Sequence, residues 1–222
     1  MTSEATRNDA QQILDAVAVL FGAGVMSHSG HANLSARLDG GRFLLTTRGA
    51  VRDLRAEDLA VIDAGGEVLS GDLAPENREI VSMHQVVYAG RPGVGAVIHT
   101  HSPAATAFAL AHRPLACRAE PLLRFGQAEA VPVAAWGPRG SDVSVRAIAT
   151  LLGEHPTTSA VLLANHGLLA FGTDPVGTAR LIVAIEESAE AEIAAAALGG
   201  AVDFPAGALE QVRASMARGT SA

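Results

Sequence analysis

Two histidines, His99 and His101, follow a short apolar run at residues 96–98 that is typical of a buried strand. Because side chains alternate between the two faces of a strand, both rings should point to the same side. Their ring nitrogens could then bind one cation from that side. Divalent zinc accepts three nitrogen ligands and leaves a further coordination position open.

A third histidine, His166, stands in a comparable context. It follows the apolar run 160–164 and precedes Gly167, so we predict that it also lies at a strand end and faces a cleft. The alternative is that these histidines merely end strands as polar residues. Together, the three rings form a candidate site for zinc or another divalent transition metal.

Composition limits the other functional classes. The chain has 222 residues, 49% of them hydrophobic, and a formal net charge of −7. This length can bury a large core, and we expect one domain over residues 1–222. Acidic and basic residues are interspersed without a basic stripe, which argues against nucleic acid as a partner. A polar N-terminus and the lack of a long apolar stretch predict a cytoplasmic protein with no membrane partner.

Helical and strand signals alternate along the chain. Helical periodicity marks residues 13–21, 79–89, 103–111, 143–152 and 175–198. Short β-type runs mark residues 33–38, 42–46, 59–63, 67–70, 94–99, 130–135, 159–164 and 168–171. Glycine pairs after Asp39 and Ala64 are typical of hairpin turns. We therefore predict an α/β fold with a mixed, largely antiparallel sheet covered by helices.

Five short motifs occur in a fixed order along the chain, at residues 33–37, 44–49, 75–79, 99–101 and 165–167. Together they resemble the class II aldolase/adducin family, from about Ile13 to Leu198. The resemblance implies a three-layer α/β/α sandwich. It also implies a homotetramer with active sites between subunits.

In enzymes of this family, the histidine pair and the later histidine hold zinc, and an acid upstream of the pair transfers protons. By resemblance, His99, His101 and His166 are the metal ligands. Glu79 is our candidate for the acid/base, with Glu76 as the alternative. Relative to the family's usual pattern one residue is inserted here, because His84 follows Glu79 by five positions rather than four.

The resemblance also implies substrate-binding positions, at Asn33, Arg48, Gly49 and Arg78. Family members that bind sugar phosphates have threonine and serine at the positions of Arg48 and Arg78. Two arginines could grip a carboxylate in a forked geometry, so a carboxylated substrate is as plausible as a phosphorylated one. Alternatively, both arginines make surface ion pairs.

Aldolases of this family commonly use a tyrosine from a neighbouring subunit as proton donor. Tyr88 is the single tyrosine here, and its context indicates core packing. His31 could replace that donor, with His28 the more distant alternative. Arg139 could reach a neighbouring subunit's site. We interpret His112 and His155 as surface residues.

The sequence thus predicts a zinc-dependent lyase acting on a small molecule. Reversible aldol cleavage of a small hydroxylated carbonyl compound is the first hypothesis, since the metal can stabilise the enediolate that forms when a bond beside a carbonyl breaks. Decarboxylation of a hydroxylated acid needs the same electron sink and is the second. A non-catalytic, adducin-like interaction module is the third, and the retained histidines argue against it.

Overall fold

A computed structural model describes residues 4–138 and 141–219. Its helices are α1 (Glu4–Gly22), α2 (Arg78–Gly90), α3 (Pro103–Leu110), α4 (Glu120–Arg124), α5 (Asp142–Glu154), α6 (Pro175–Ala195) and α7 (Ala208–Gly219). Its strands are β1 (Ala32–Arg37), β2 (Phe43–Thr46), β3 (Leu59–Ile62), β4 (Val68–Ser70), β5 (Ala96–Thr100), β6 (Val133–Ala134), β7 (Ala160–Leu163) and β8 (Gly167–Gly172).

All eight described strands form one sheet in the order β4-β3-β2-β1-β5-β8-β7-β6. Neighbours pair antiparallel except β6 and β7, which are parallel. The sheet is therefore mixed and largely antiparallel, as the sequence predicts. In its centre, β5 lies between β1 and β8, so that His99 is opposite Asn33 on one side and Leu169 on the other.

Each face of the sheet carries its own hydrophobic core. Alternate residues of the central strands supply both cores, because successive side chains point to opposite faces. One core packs against α1, α3, α4 and α6, and the other against α2 and α5. Val97 belongs to the second core and Ile98 to the first. The three-layer α/β/α sandwich is thus confirmed, and His99 must face the α2 and α5 layer.

Two helices are absent from the sequence prediction, α4 and α7. Helix α4 is a single short turn of five residues, and α7 lies beyond the last predicted helix. Arg139 falls outside the described residues. None of the helices described here is both long enough and apolar enough to span a lipid bilayer.

Candidate metal centre and active site

The three predicted histidines meet at the ends of β5 and β7. Their ring centroids lie 4.8 Å apart for His99 and His101, 4.6 Å for His99 and His166, and 5.1 Å for His101 and His166. One ring nitrogen from each can be chosen so that all three lie within 4.8 Å of one another. The structure therefore brings together residues separated by 65 positions along the chain, as a shared cation would require.

The donor set fits a divalent transition metal. Nε2 of His99 and Nε2 of His101 are 3.2 Å apart. Two nitrogens that bind one tetrahedral zinc at about 2.0–2.1 Å would be separated by about 3.3 Å. Three imidazoles with no carboxylate among them suit zinc and its neighbours better than calcium or magnesium, which prefer oxygen ligands.

The ring of His99 is held in the tautomer that a metal ligand needs. Its Nδ1–H donates to the carbonyl oxygen of Leu168 on the adjacent strand, at 2.9 Å. This bond places the proton on Nδ1 and leaves the Nε2 lone pair facing the other two rings. Burial, with smaller contributions from His166 and His101, holds the pKa of His99 well below its usual value, so the ring stays neutral.

His166 is carried by a tight turn between β7 and β8. Its N–H donates to the carbonyl of Leu163 at 2.9 Å, and Asn165 at the third position has a φ of 57°. A positive φ there is typical of a type II turn, where asparagine or glycine is favoured. Gly167 follows, and a Cβ on it would lie 2.5 Å from the Thr100 carbonyl oxygen. Only glycine lets β8 pass this close to the histidine pair.

A cavity of about 380 Å³ opens in front of the histidines. It is lined by all three rings and by polar residues from β1 and the N-terminal end of α2. Those residues include Asn33 of β1 and Asn77 and Glu79 at the start of α2, while the loops before β1 and after β2 add His31 and Gly49. Apolar walls come from α2, α5 and the segment around Trp136.

The structure places Glu79, the predicted acid/base, in the wall of the cavity that the three histidines also line. It lies in the first turn of α2, and its side chain is exposed to the cavity that the histidines line. The side chain of the alternative, Glu76, lies outside the described structure. The geometry is therefore compatible with Glu79 in that role.

Asn33 is held from behind by a chain of buried hydrogen bonds. Nε2–H of His84 donates to Oδ1 of Asn33 at 2.6 Å. Nδ1 of His84 accepts from the Ser35 hydroxyl at 2.7 Å, and that oxygen accepts from the Tyr88 hydroxyl at 2.7 Å. Burial lowers the pKa of His84 to about 3, so the ring is neutral and keeps these roles. With Oδ1 occupied, the amide N–H₂ of Asn33 is the group available to a ligand.

Tyr88 does not reach the cavity. It is only 7% exposed, and it packs its ring against Phe43. The core position expected from its sequence context is what the structure shows. Its hydroxyl stabilises Ser35 rather than approaching a substrate.

A polar residue that the sequence analysis did not select is Asn77. It is 3% exposed and lines the cavity, and its Nδ2 has no hydrogen-bond partner among the described residues. A buried donor without a partner costs free energy, about 1–3 kcal/mol, unless a ligand or water supplies an acceptor. Its position in the third family motif was a signal that could have singled it out.

His31 and Gly49 form one wall of the cavity. Nδ1–H of His31 donates to the Ser29 carbonyl at 3.2 Å, which leaves Nε2 as an acceptor. A Cβ on Gly49 would lie 2.9 Å from Cδ2 of His31, so glycine allows the ring to lie against the backbone. The structure therefore joins these two predicted residues to the histidine cluster.

The two predicted arginines lie elsewhere. Arg48 donates to the carboxylate of Asp58 at 2.8 Å and to the Asp53 carbonyl at 3.2 Å. Arg78 is exposed, and neither arginine belongs to the described cavity wall. For Arg48, the surface ion pair considered as an alternative is the arrangement found.

Comparison with known proteins first identifies the class to which this fold and site belong. The family described as "Class II Aldolase and Adducin N-terminal domain" matches residues 11–193. The chain therefore belongs to the class II aldolase and adducin family. The resemblance found in the five motifs is confirmed.

Among curated relatives, 5-methylthioribulose-1-phosphate/5-deoxyribulose-1-phosphate aldolase of Rhodospirillum rubrum is 33% identical over 71% of this chain and 68% of its own. The 3-oxo-tetronate 4-phosphate decarboxylase of Haemophilus influenzae is 33% identical over 72% of this chain and 76% of its own. Methylthioribulose-1-phosphate dehydratase of Hahella chejuensis is 37% identical over 47% of this chain. The match spans 50% of that enzyme's length.

Solved structures agree on the fold. An L-fuculose 1-phosphate aldolase superposes with a TM-score of 0.84 at 23% identity, covering 97% of this chain and 98% of that one. YgbL from Klebsiella pneumoniae superposes with a TM-score of 0.79 at 27% identity, covering 93% and 98%. The first of these likenesses concerns the fold alone.

Proposed function

We propose that this protein is a metal-dependent lyase that cleaves a small hydroxylated carbonyl compound by a reversible aldol reaction. The observation that carries the proposal is the convergence of three histidine rings in one cavity with Glu79. A divalent cation held by His99, His101 and His166 would act as a Lewis acid that stabilises negative charge on substrate oxygens. The retained ligands argue against a non-catalytic interaction module.

Side chains of the cavity would carry out proton transfer and substrate binding. Glu79, at the cavity wall, would accept the proton of the substrate hydroxyl at the bond that breaks and return it in the reverse direction. The amide groups of Asn33 and Asn77 would donate hydrogen bonds to substrate oxygens, while Gly49 leaves room for them. His31 would supply or accept the second proton in place of the tyrosine that this chain lacks at the site.

Support for a phosphorylated substrate comes from two sides. The Rhodospirillum and Haemophilus relatives are both named for phosphate esters. In this chain, the described cavity wall offers neutral amide donors, while Arg48 is engaged with Asp58. We therefore propose a phosphorylated ketose or keto acid, with Arg78 as an outer contact at most.

Decarboxylation is the second candidate, because the Haemophilus relative is named a decarboxylase. Its match covers 72% of this chain. Loss of water is a third outcome to score, since the Hahella relative is named a dehydratase. All three reactions use the same electron sink beside a carbonyl. The products distinguish them, because they are an aldehyde, carbon dioxide and a dehydrated ketone.

The test begins with elemental analysis of the purified protein. It continues with incubation with 5-methylthioribulose 1-phosphate and with 3-oxo-tetronate 4-phosphate, scoring aldehyde, carbon dioxide and water loss. We expect His166→Ala to lose bound metal and turnover, and Glu79→Gln to keep the metal and lose turnover. His155→Ala and Glu57→Gln, which lie outside the cavity wall, are the matched controls. Full turnover by metal-stripped protein would contradict the proposal.

We also propose that the protein is a cytoplasmic homotetramer whose active sites lie between subunits, with residues 1–222 forming one domain. The exposed side of the cavity around Trp136, which is 58% exposed, is where a neighbouring subunit would complete the wall. Sedimentation equilibrium of the full chain tests the tetramer. Monomers that are fully active at every concentration would contradict it.

A further inference from the structure

Two residues other than glycine have a positive φ in the described structure, and they touch each other. His112 has a φ of 52° and Asn165 a φ of 57°. Nε2–H of His112 donates to Oδ1 of Asn165 at 2.6 Å, across 53 positions of sequence. Left-handed backbone is unfavourable for residues with a Cβ, and it persists where the surrounding structure imposes it.

His112 lies two residues after the end of α3 and directly follows the C-cap residue Ala111. The N–H of Arg113 donates to the Phe108 carbonyl at 3.0 Å, and the N–H of His112 to the Ala109 carbonyl at 3.3 Å. This is the Schellman pattern, whose left-handed position is usually glycine. A histidine there keeps a side chain that glycine would lack, and the side chain is what reaches Asn165.

Asn165 immediately precedes the metal ligand His166. A second bond holds the same turn, because the N–H of Asn165 donates to the Ala109 carbonyl at 3.2 Å. The C-terminal end of α3 and the residue that follows it therefore hold the loop that carries His166. One backbone hydrogen bond joins Asn165 to Ala109, and one side-chain hydrogen bond joins His112 to Asn165.

The other end of α3 is tied to the histidine pair. The helix begins at Pro103, two residues after His101. Both oxygens of Glu186, a carboxylate only 2% exposed, accept from the first turn of α3, from Ala104 N–H at 2.7 Å and Ala105 N–H at 2.8 Å. The helix thus connects two metal ligands, with one anchored end near each.

We propose that His112 is a positioning residue, whose bond to Asn165 fixes His166 at the distance from His101 that a shared cation needs. The inference rests on the proposed three-histidine metal site and not on the reaction that it catalyses. His112 itself does not line the described cavity, whereas Asn165 does, so the effect of His112 would pass through Asn165 and the β7–β8 turn.

Four substitutions separate the bond from the backbone strain. His112→Gly and Asn165→Gly remove the side-chain bond but adopt left-handed backbone at no steric cost, so both should fold. His112→Gln keeps a donor at about the reach of Nε2 and is the conservative rescue. Arg113→Gln, an exposed change at the next residue, is the matched control.

The measurement is cobalt(II) binding to metal-stripped full-length protein, followed by the visible absorption of the bound ion and by competition with a chromophoric chelator. We expect both glycine variants to raise the dissociation constant about tenfold, in the range found when groups supporting a ligand are removed. Their spectra should shift, because the coordination geometry changes. His112→Gln and Arg113→Gln should bind and absorb like the unaltered protein.

Two results would overturn the proposal, and they differ. Unchanged affinity and spectrum in both glycine variants, beside tight binding by the unaltered protein, would refute the positioning role and leave the metal site intact. No cobalt binding by the unaltered protein would refute the metal site and the positioning role together. Thermal unfolding of the metal-free variants provides the check on folding, and we expect midpoints equal to or above that of the unaltered protein for the glycine variants.

Discussion

The ring of His84 donates a hydrogen bond of 2.6 Å to the side-chain oxygen of Asn33, and this contact orients the amide that faces the cavity. Without it, the Asn33 amide could turn over and present its oxygen, which repels an anionic or carbonyl oxygen of a ligand. The same ring is fixed by Ser35 on its other side. One buried imidazole on α2 therefore sets the direction of the Asn33 amide on β1, which we propose as a substrate-binding group.

We expect His84→Leu to raise KM about tenfold and to lower kcat less, since the loss falls on binding rather than on proton transfer. Steady-state kinetics on the cleaved substrate checks this. His84→Gln, which retains a donor near Nε2, should recover most of the difference. A KM unaffected in His84→Leu would mean that Asn33 needs no support from this ring.

The same residue makes folding stability depend on pH. Burial lowers the pKa of His84 in the folded protein to about 3, from an ordinary value of 6.5. Between those values the unfolded chain binds the proton and the folded chain does not, so acidification favours unfolding. The contribution of His84 is complete above about pH 6.5 and falls by about 1.4 kcal/mol per pH unit as the pH decreases towards 3.

Urea unfolding at pH 7 and pH 5 of the unaltered protein and of His84→Gln measures this effect. We expect the unaltered protein to lose about 2 kcal/mol more than the variant over that interval. The low pKa of His99 acts in the same direction in both proteins, so the difference between them isolates His84. Equal losses in the two proteins would contradict the assignment.

A methyl group at Gly167 should disturb the candidate metal centre directly. Its Cβ would lie 2.5 Å from the Thr100 carbonyl oxygen and 3.0 Å from Cδ2 of His101. Since the first contact is with backbone, β8 must move away from β5. We expect Gly167→Ala to lower the free energy of unfolding by about 1–3 kcal/mol and to weaken metal binding.

Gly153→Ala is the matched control, because nothing lies within 4 Å of the added carbon. In a helix, that change should stabilise by about 0.5 kcal/mol or leave stability unchanged. Chemical denaturation measures the free energy of unfolding of both variants, and metal titration measures their metal affinity. Comparable metal affinity in Gly167→Ala and Gly153→Ala would show that the close strand approach is not needed.

The sequence predicted the sheet, its alternation and the three histidines that line one cavity, because each depends on a local pattern. Alternation in β5 places His99 and His101 on one side without further information. By contrast, the environment of Arg48 depends on Asp58, which a short 3-10 turn brings beside it. Ion pairs of this kind follow from loop geometry, which no periodic pattern encodes.

The sequence pattern did not single out the amide of Asn77, for a related reason. Asparagine at a helix start is usually a cap, and here Asn77 precedes α2 without making a side-chain capping bond. That Asn77 lines the cavity, and that its buried Nδ2 has no hydrogen-bond partner among the described residues, is visible only in three dimensions. The parallel pairing of β6 and β7 is likewise a property of the connection through α5 and not of either strand's residues.

Variants of Asn77 and Arg48 distinguish two ways of holding the substrate, by a neutral amide in the cavity or by a guanidinium group. If neutral amides inside the cavity anchor it, Asn77→Ala should raise KM about tenfold, the equivalent of about 1.4 kcal/mol for one lost hydrogen bond. Arg48→Ala should change KM less than twofold, because its guanidinium is engaged with Asp58 at 2.8 Å. Steady-state kinetics of both variants, with stability measured alongside, decides between them. The reverse outcome would show that Arg48 leaves Asp58 to bind the substrate, and would restore the carboxylate-gripping role that its sequence position suggested.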